Sequence, residues 1–457
     1  MASENQKPDS KRVLTAPGDI SWGDYWRLLL ASGVVGLLAS ALVWVFNSAI
    51  QRFASMTYGR PTEGMPVYWR YLLVILPGAG GLLVALILHY LSNDKPRADM
   101  TQLIDSVAEH GGHLEYRNGV VYILASLVGI SFGAPVGEDT PAAMIGGHLA
   151  GFLGERIQQP RLVQRALVIA GVAAGIASTY FAQLAAVFFA LEIVLGGFGG
   201  GFFVVPALIG VAMSALFTFL VRGTPPPFAR SSILVRWDYS LLFYLLVAAL
   251  AALAAVVYVR LLPKFLDLWE RVNLPSWVRL ALAGLLVGLV GFWVPDIYGT
   301  GLAQLQQIFS GTSFTISALL VLAIAKIILT PSSLGSGFAG GVVGPALLIG
   351  SSLGLAFGQL AALIFPDLSI SPLAFAFVGS AAMLSAAFHA PLFAAMLVLE
   401  MTADYRFIVP VLVGAAVSFA LARAYLPGSA YTFELEQRGI HLEQETVIDI
   451  EKEDHLE

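Results

Sequence analysis

The 457-residue sequence contains no cysteine, which excludes disulfide bridges and thiolate metal sites. Charge is scarce: Asp, Glu, Lys and Arg make up 12% of the chain, against about 25% in a soluble globular protein. Such a chain cannot clothe a water-facing surface. The seven histidines show no metal-ligand spacing. No phosphate-binding loop or catalytic constellation is present. An enzyme is therefore not expected, nor a metal, another cofactor or a nucleic-acid partner. No cleavable signal peptide is evident. The polar first 20 residues carry Lys7, Lys11 and Arg12 just before the first apolar run, as a cytoplasmic amino end would.

What is abundant is apolar sequence, 57% of the chain. The runs Trp26–Val45, Tyr71–Leu91, Leu241–Val259, Val278–Trp293 and Phe407–Ala424, and the shorter Ile316–Ile328, approach or reach the roughly 20 residues that cross a bilayer. Pro141–Phe152 and Phe338–Ile349 are too short and too rich in glycine to cross alone. Long helices mixed with broken ones mark a transporter or channel core, in which irregular backbone lines a cavity. The 46 glycines, with the many Ala and Ser residues, suit close helix packing in lipid.

One pattern occurs twice. Pro141-Ala142-Ala143-Met144-Ile145-Gly146 with Leu149 returns 204 residues on (141 to 345) as Pro345-Ala346-Leu347-Leu348-Ile349-Gly350 with Leu353. Ala182, Leu184, Ala186, Leu191 and Glu192 return 208 residues on (192 to 400) as Ala390, Leu392, Ala394, Leu399 and Glu400. Two markers in one order at nearly one offset indicate a duplicated unit. The expected organisation is a cytoplasmic segment over 1–21, a first membrane repeat over 22–223, a Pro-rich basic connector over 224–237, a second repeat over 238–425, and an acidic cytoplasmic tail over 426–457. Arg156, Arg161 and Arg165 mark another cytoplasmic loop. Paired membrane repeats usually build one solute site where they meet near the midplane, so the site is expected at the marked segments.

The chemistry of those segments points to an anion. Gly137-Glu138-Asp139-Thr140-Pro141 and Gly340-Gly341-Val342-Val343-Gly344-Pro345 each place glycines, then a proline, at a helix start. A helix start leaves backbone N–H groups unpaired and carries partial positive charge. Two such starts facing each other hold an anion without a cationic side chain, firmly enough for it to bind and weakly enough for it to leave.

This arrangement resembles the CLC family of chloride channels and chloride/proton antiporters, over about Trp22 to Ile440. Gly137-Glu138-Asp139-Thr140-Pro141 with Ile145-Gly146-Gly147 is similar to the family's Gly-(Arg/Lys)-Glu-Gly-Pro motif and Ile-Gly-Gly run. Gly341-Val342-Val343-Gly344-Pro345 is similar to its Gly-x-Phe-x-Pro motif. Phe181-Ala182-Gln183-Leu184 through Leu191-Glu192, and Phe388-His389-Ala390-Pro391-Leu392 through Leu399-Glu400, resemble its Asn-Ala-Pro-Leu…Leu-Glu helix. The resemblance implies an all-α polytopic membrane protein of two inverted homologous halves with tilted and broken helices, assembled as a homodimer. It implies that Asp139 stands at the gating glutamate, with Glu138 as the alternative register and helix capping as a plainer role for Asp139. It implies anion contacts from Gly341, Val342 and Val343, and from Tyr431 in Ser429-Ala430-Tyr431-Thr432 unless that ring is an interfacial belt tyrosine.

Three departures follow from the same resemblance. Glu138 reverses a charge that the family carries as Arg or Lys. The best match to the family's Gly-Ser-Gly-Ile-Pro motif is Arg97-Ala98-Asp99-Met100-Thr101, which puts Ala98 in place of the anion-binding serine. Ile193 stands where the family's antiporters carry an internal glutamate, leaving Glu192 and His148 as candidate proton-pathway groups; a packing role for Glu192 and Glu400, and a satisfied buried imidazole for His148 and His389, are the plainer alternatives. Three functions are thereby open. They are passive or weakly proton-coupled movement of chloride or a similar small monovalent anion, proton-coupled anion antiport, and cation-coupled transport by another duplicated carrier. A bacterial inner membrane is the expected location, with both termini cytoplasmic.

Overall fold

In a computed structural model, residues 21–59, 67–92, 99–197, 201–223, 240–368 and 370–433 are described. The connector from 224 to 239, Arg97, Ala98 and the acidic tail beyond 433 lie outside them. The described chain is helical. Its first half comprises α1 (Trp22–Met56), α2 (Val67–Leu91), α3 (Met100–Ala108), α4 (Tyr116–Ser131), α5 (Asp139–Arg156), α6 (Arg161–Tyr180), α7 (Gln183–Phe188, prolonged by a π-helical turn over Phe189–Val194) and α8 (Val204–Arg222). The second comprises α9 (Ser240–Arg271), α10 (Ser276–Trp293), α11 (Leu302–Phe309), α12 (Ile316–Ser336), α13 (Val343–Ile364), α14 (Pro372–Phe388), α15 (Pro391–Thr402) and α16 (Ile408–Arg423).

The two halves match element for element. Each opens with a helix of over 30 residues, α1 with 35 and α9 with 32. At 1.5 Å per residue these measure about 50 Å, longer than a hydrocarbon core of about 30 Å, so they tilt or emerge. Each half then breaks before its marked helix, α5 or α13. Among the described residues, nine helices are long and apolar enough to cross a membrane; α5, α7 and α15 are not among them, as their glycines and shortness foretell. α13, by contrast, is among the nine: the second marked segment is not too short to cross, because the apolar run continues past Ile349 to Ile364.

Small residues set the packing. Gly146 of α5 lies against the backbone of Gly171 in α6, and Gly350 of α13 lies against Gly379 in α14. These are the same crossing in each repeat, and a Cβ at any of the four would strike backbone on the facing helix. Backbones that approach this closely replace the hydrophobic drive that lipid cannot supply. α6 and α14 are sheathed on all sides. Around them the outer helices turn Leu, Val and Phe outward, with Trp22 and Trp293 exposed at helix ends, where interfacial aromatics belong. The matched turns even share a conformation: α6 ends on Phe181 and α14 on His389, both left-handed at φ 56° and 55°.

Candidate anion site

The two broken-helix starts meet. Gly137 and Gly341 form an antiparallel bridge, N–H to carbonyl in both directions, at 2.6 and 2.7 Å. Gly341 therefore spends its amide on Gly137 and shapes the site rather than supplying a free donor. Side chains behind the bridge fix its two strands. Tyr122 of α4 donates its hydroxyl to the Gly340 carbonyl (2.8 Å) and accepts the Gly340 N–H (3.0 Å). Thr330 of α12 donates to the Pro135 carbonyl. Lys326, fully buried on the same helix, donates to the Gly299 carbonyl at 2.7 Å. Gly299 in turn donates its N–H to Gly133, ahead of α5.

Asp139 lies at the centre, with none of its surface exposed. Its Oδ2 accepts the Val342 N–H at 3.2 Å and the Tyr431 hydroxyl at 2.8 Å. The Tyr180 hydroxyl stands 3.5 Å from Oδ1. The amide of Val343 also faces the carboxylate. The carboxyl group from the start of α5 thus sits on the start of α13, so its role extends beyond capping its own helix. Both bridging glycines are needed for this: a Cβ on Gly137 or Gly341 would overlap the carboxylate itself. Among the described residues no ion pair reaches Asp139; amides and phenols meet its charge. Preoriented dipoles of this kind stabilise a negative group in a dry interior with little reorganisation.

Tyr431 is held from three sides. Thr101 of α3 donates to its carbonyl at 3.0 Å, Ala430 donates its N–H to Ala387 at 2.8 Å, and the Phe388 ring packs 5.2 Å away, centre to centre. Its buried hydroxyl points into the protein, unlike an interfacial tyrosine. Glu138 precedes Asp139 at the α5 start; it is buried, within electrostatic range of Tyr58 and Tyr180.

Glu192 and Glu400 form reciprocal caps. Glu192 accepts the N–H groups of Leu392 (3.2 Å) and Phe393 (2.7 Å) at the start of α15. Glu400 accepts those of Leu184 (3.0 Å) and Ala185 (2.8 Å) at the start of α7. Each half's marked glutamate satisfies a helix start in the other half. His148 sits with Nδ1 2.9 Å from the Met144 carbonyl, packed against the backbone of Glu115 and Gly119. Neither Glu192 nor His148 is bonded to Asp139.

Asp139, Val342, Val343 and Tyr431, each expected from the sequence, come together here. Tyr122, Tyr180, Tyr258, Lys326 and Thr330, to which no motif points, stand around them. Their signal was present in the chain: a phenol ending a helix of Ala, Gly and Val, and one lysine inside the apolar run of α12. Tyr258, wholly buried on α9, lies within range of Thr330 and of the Asp139 charge.

Comparison with known proteins places the chain by family and fold. The profile of the voltage gated chloride channel family matches residues 80–423. A ClcB-like chloride channel protein of Ralstonia nicotianae is 28% identical over 88% of this chain and 95% of its own. The voltage-gated ClC-type chloride channel ClcB of Citrobacter koseri is 27% identical over 89% of this chain and 98% of its own. The crystal structure of a slow cyanobacterial Cl⁻/H⁺ antiporter superposes with a TM-score of 0.79 at 24% identity, covering 90% of this chain and 98% of that one. The bridged helix starts, the fold and the matched span lead to one assignment: the chain belongs to the voltage gated chloride channel (CLC) family.

Proposed function

We propose that Asp139 is the gate of an anion pathway and that its carboxylate occupies the place an anion takes in transit. The observation that carries this is the hydrogen bonding of the Asp139 carboxylate to the Val342 N–H and the Tyr431 hydroxyl, at the amino end of the opposing repeat's helix. A group that binds a carboxylate oxygen there binds chloride by the same donors. Protonation weakens the carboxylate as an acceptor, and a competing anion displaces it; either event opens the site. Acidification therefore raises flux. Asp is one methylene shorter than Glu, so the carboxylate reaches this position only because Gly137 and Gly341 let it approach.

Transport in this reading is passive or weakly proton-coupled, with chloride or a similar small monovalent anion as the transported species. Ile193 offers no proton, and Glu192 is engaged with two backbone amides. The protein works as a homodimer with a pathway in each subunit, in a bacterial inner membrane, with both termini in the cytoplasm. The antiporter named in the cyanobacterial structure favours a second reading, proton-coupled exchange. Purified protein in liposomes decides between them. With chloride, fluoride, nitrate and bicarbonate gradients and pH recorded, Asp139→Ala raises anion flux and flattens its pH dependence. Stoichiometric proton movement driven by a chloride gradient in the wild-type protein would replace the passive reading by exchange. Unchanged flux in Asp139→Ala would remove Asp139 from the gate.

A further inference from the structure

Tyr180 is the last residue of α6, and its ring is buried beside the bridge. The left-handed turn at Phe181 ends the helix there. The hydroxyl stands 3.5 Å from Asp139 Oδ1, on the other carboxylate oxygen from Tyr431. A methyl group on Gly344, in the first turn of α13, would lie 3.9 Å from that hydroxyl. Tyr180 thus faces the same small volume as Val342, Val343 and Tyr431.

The two phenols differ in one respect. The Tyr431 hydroxyl has a second neighbour, Thr140 Oγ1 at 3.5 Å. For the Tyr180 hydroxyl, Asp139 is the acceptor, and no other is present among the described residues. A buried tyrosine hydroxyl normally keeps a partner, and losing it is costly. When the carboxylate leaves, the Tyr180 hydroxyl is stranded unless something negative takes its place.

We propose that Tyr180 is a second phenol ligand of the transported anion, donating to it opposite Tyr431 once Asp139 withdraws. This deepens the gate reading and rests on it. Two O–H donors and the amides around Val342 form a cradle for a small anion that accepts strong hydrogen bonds, such as chloride. A large, weakly hydrated anion such as thiocyanate gains less from them.

The test is anion binding by isothermal titration to the purified protein in an Asp139→Ala background, where the competing carboxylate is gone. Adding Tyr180→Phe removes one oxygen. Chloride binding then weakens about tenfold, the scale of a hydrogen bond to a charged group, while thiocyanate binding changes less than twofold. Placing 3-fluorotyrosine at position 180 keeps the ring and strengthens the donor, so chloride binding tightens. Unchanged chloride affinity in Tyr180→Phe, or an equal loss for both anions, overturns the proposal. Tyr431→Phe separates this from the underlying reading. If Tyr431→Phe weakens chloride binding and Tyr180→Phe does not, only the role of Tyr180 falls. If neither variant moves it, the anion site itself is misplaced.

Discussion

At the scale of single residues, the site depends on the absence of side chains as much as on their presence. Gly341→Ala would set a methyl group onto the Asp139 carboxylate. The expected result is eviction of the carboxylate with a flattened pH profile but lowered anion flux, unlike Asp139→Ala, because the methyl group fills the place the anion takes; it is measured in the same liposomes. Wild-type pH dependence would sink this. Tyr431→Ala removes the shortest contact to the carboxylate, 2.8 Å, and should weaken anion occupancy by about tenfold on the scale of a charged hydrogen bond; equilibrium binding of chloride or bromide reads it. Glu138→Ala distinguishes the two registers. A gate at Asp139 predicts retained pH gating in this variant, whereas the flat, raised flux of a gateless protein would move the gate to Glu138.

At the scale of helices, the repeat spacing made much of this legible in the sequence. The offsets of 204 and 208 residues located both broken helices and both marked glutamates, and Pro141 and Pro345 located the starts that meet. Asp139, Val342, Val343 and Tyr431 followed because motif order fixes backbone position. Tyr180, Tyr122 and Lys326 did not follow, because side-chain convergence from separate helices leaves no periodicity in the chain. Ala98 falls outside the described residues. Glu192 and Glu400 looked structural from their repetition, yet their exchange of partners between halves needed coordinates. Glu400→Ala leaves the Leu184 and Ala185 amides without their carboxylate. Leaving such groups unsatisfied costs about 2 kcal/mol or more. A lower thermal midpoint is expected, with anion selectivity kept. Glu192→Ala should behave alike, and the two losses should add if the caps act independently. A selectivity change without a stability change would give these residues a transport role instead.

At the scale of the whole molecule, the natural lack of cysteine makes topology easy to test. Ser3→Cys and His455→Cys should each react with a membrane-impermeant maleimide only from the cytoplasmic side of inverted vesicles. Labelling of the two from opposite faces would contradict the even number of crossings that paired inverted halves require. The reciprocal glutamate caps bind one repeat to the other. A lone half would carry a carboxylate and a bare helix start in lipid, each lacking what the other half provides. The caps therefore tie the two repeats together: each helix start is completed only when the other repeat is docked beside it.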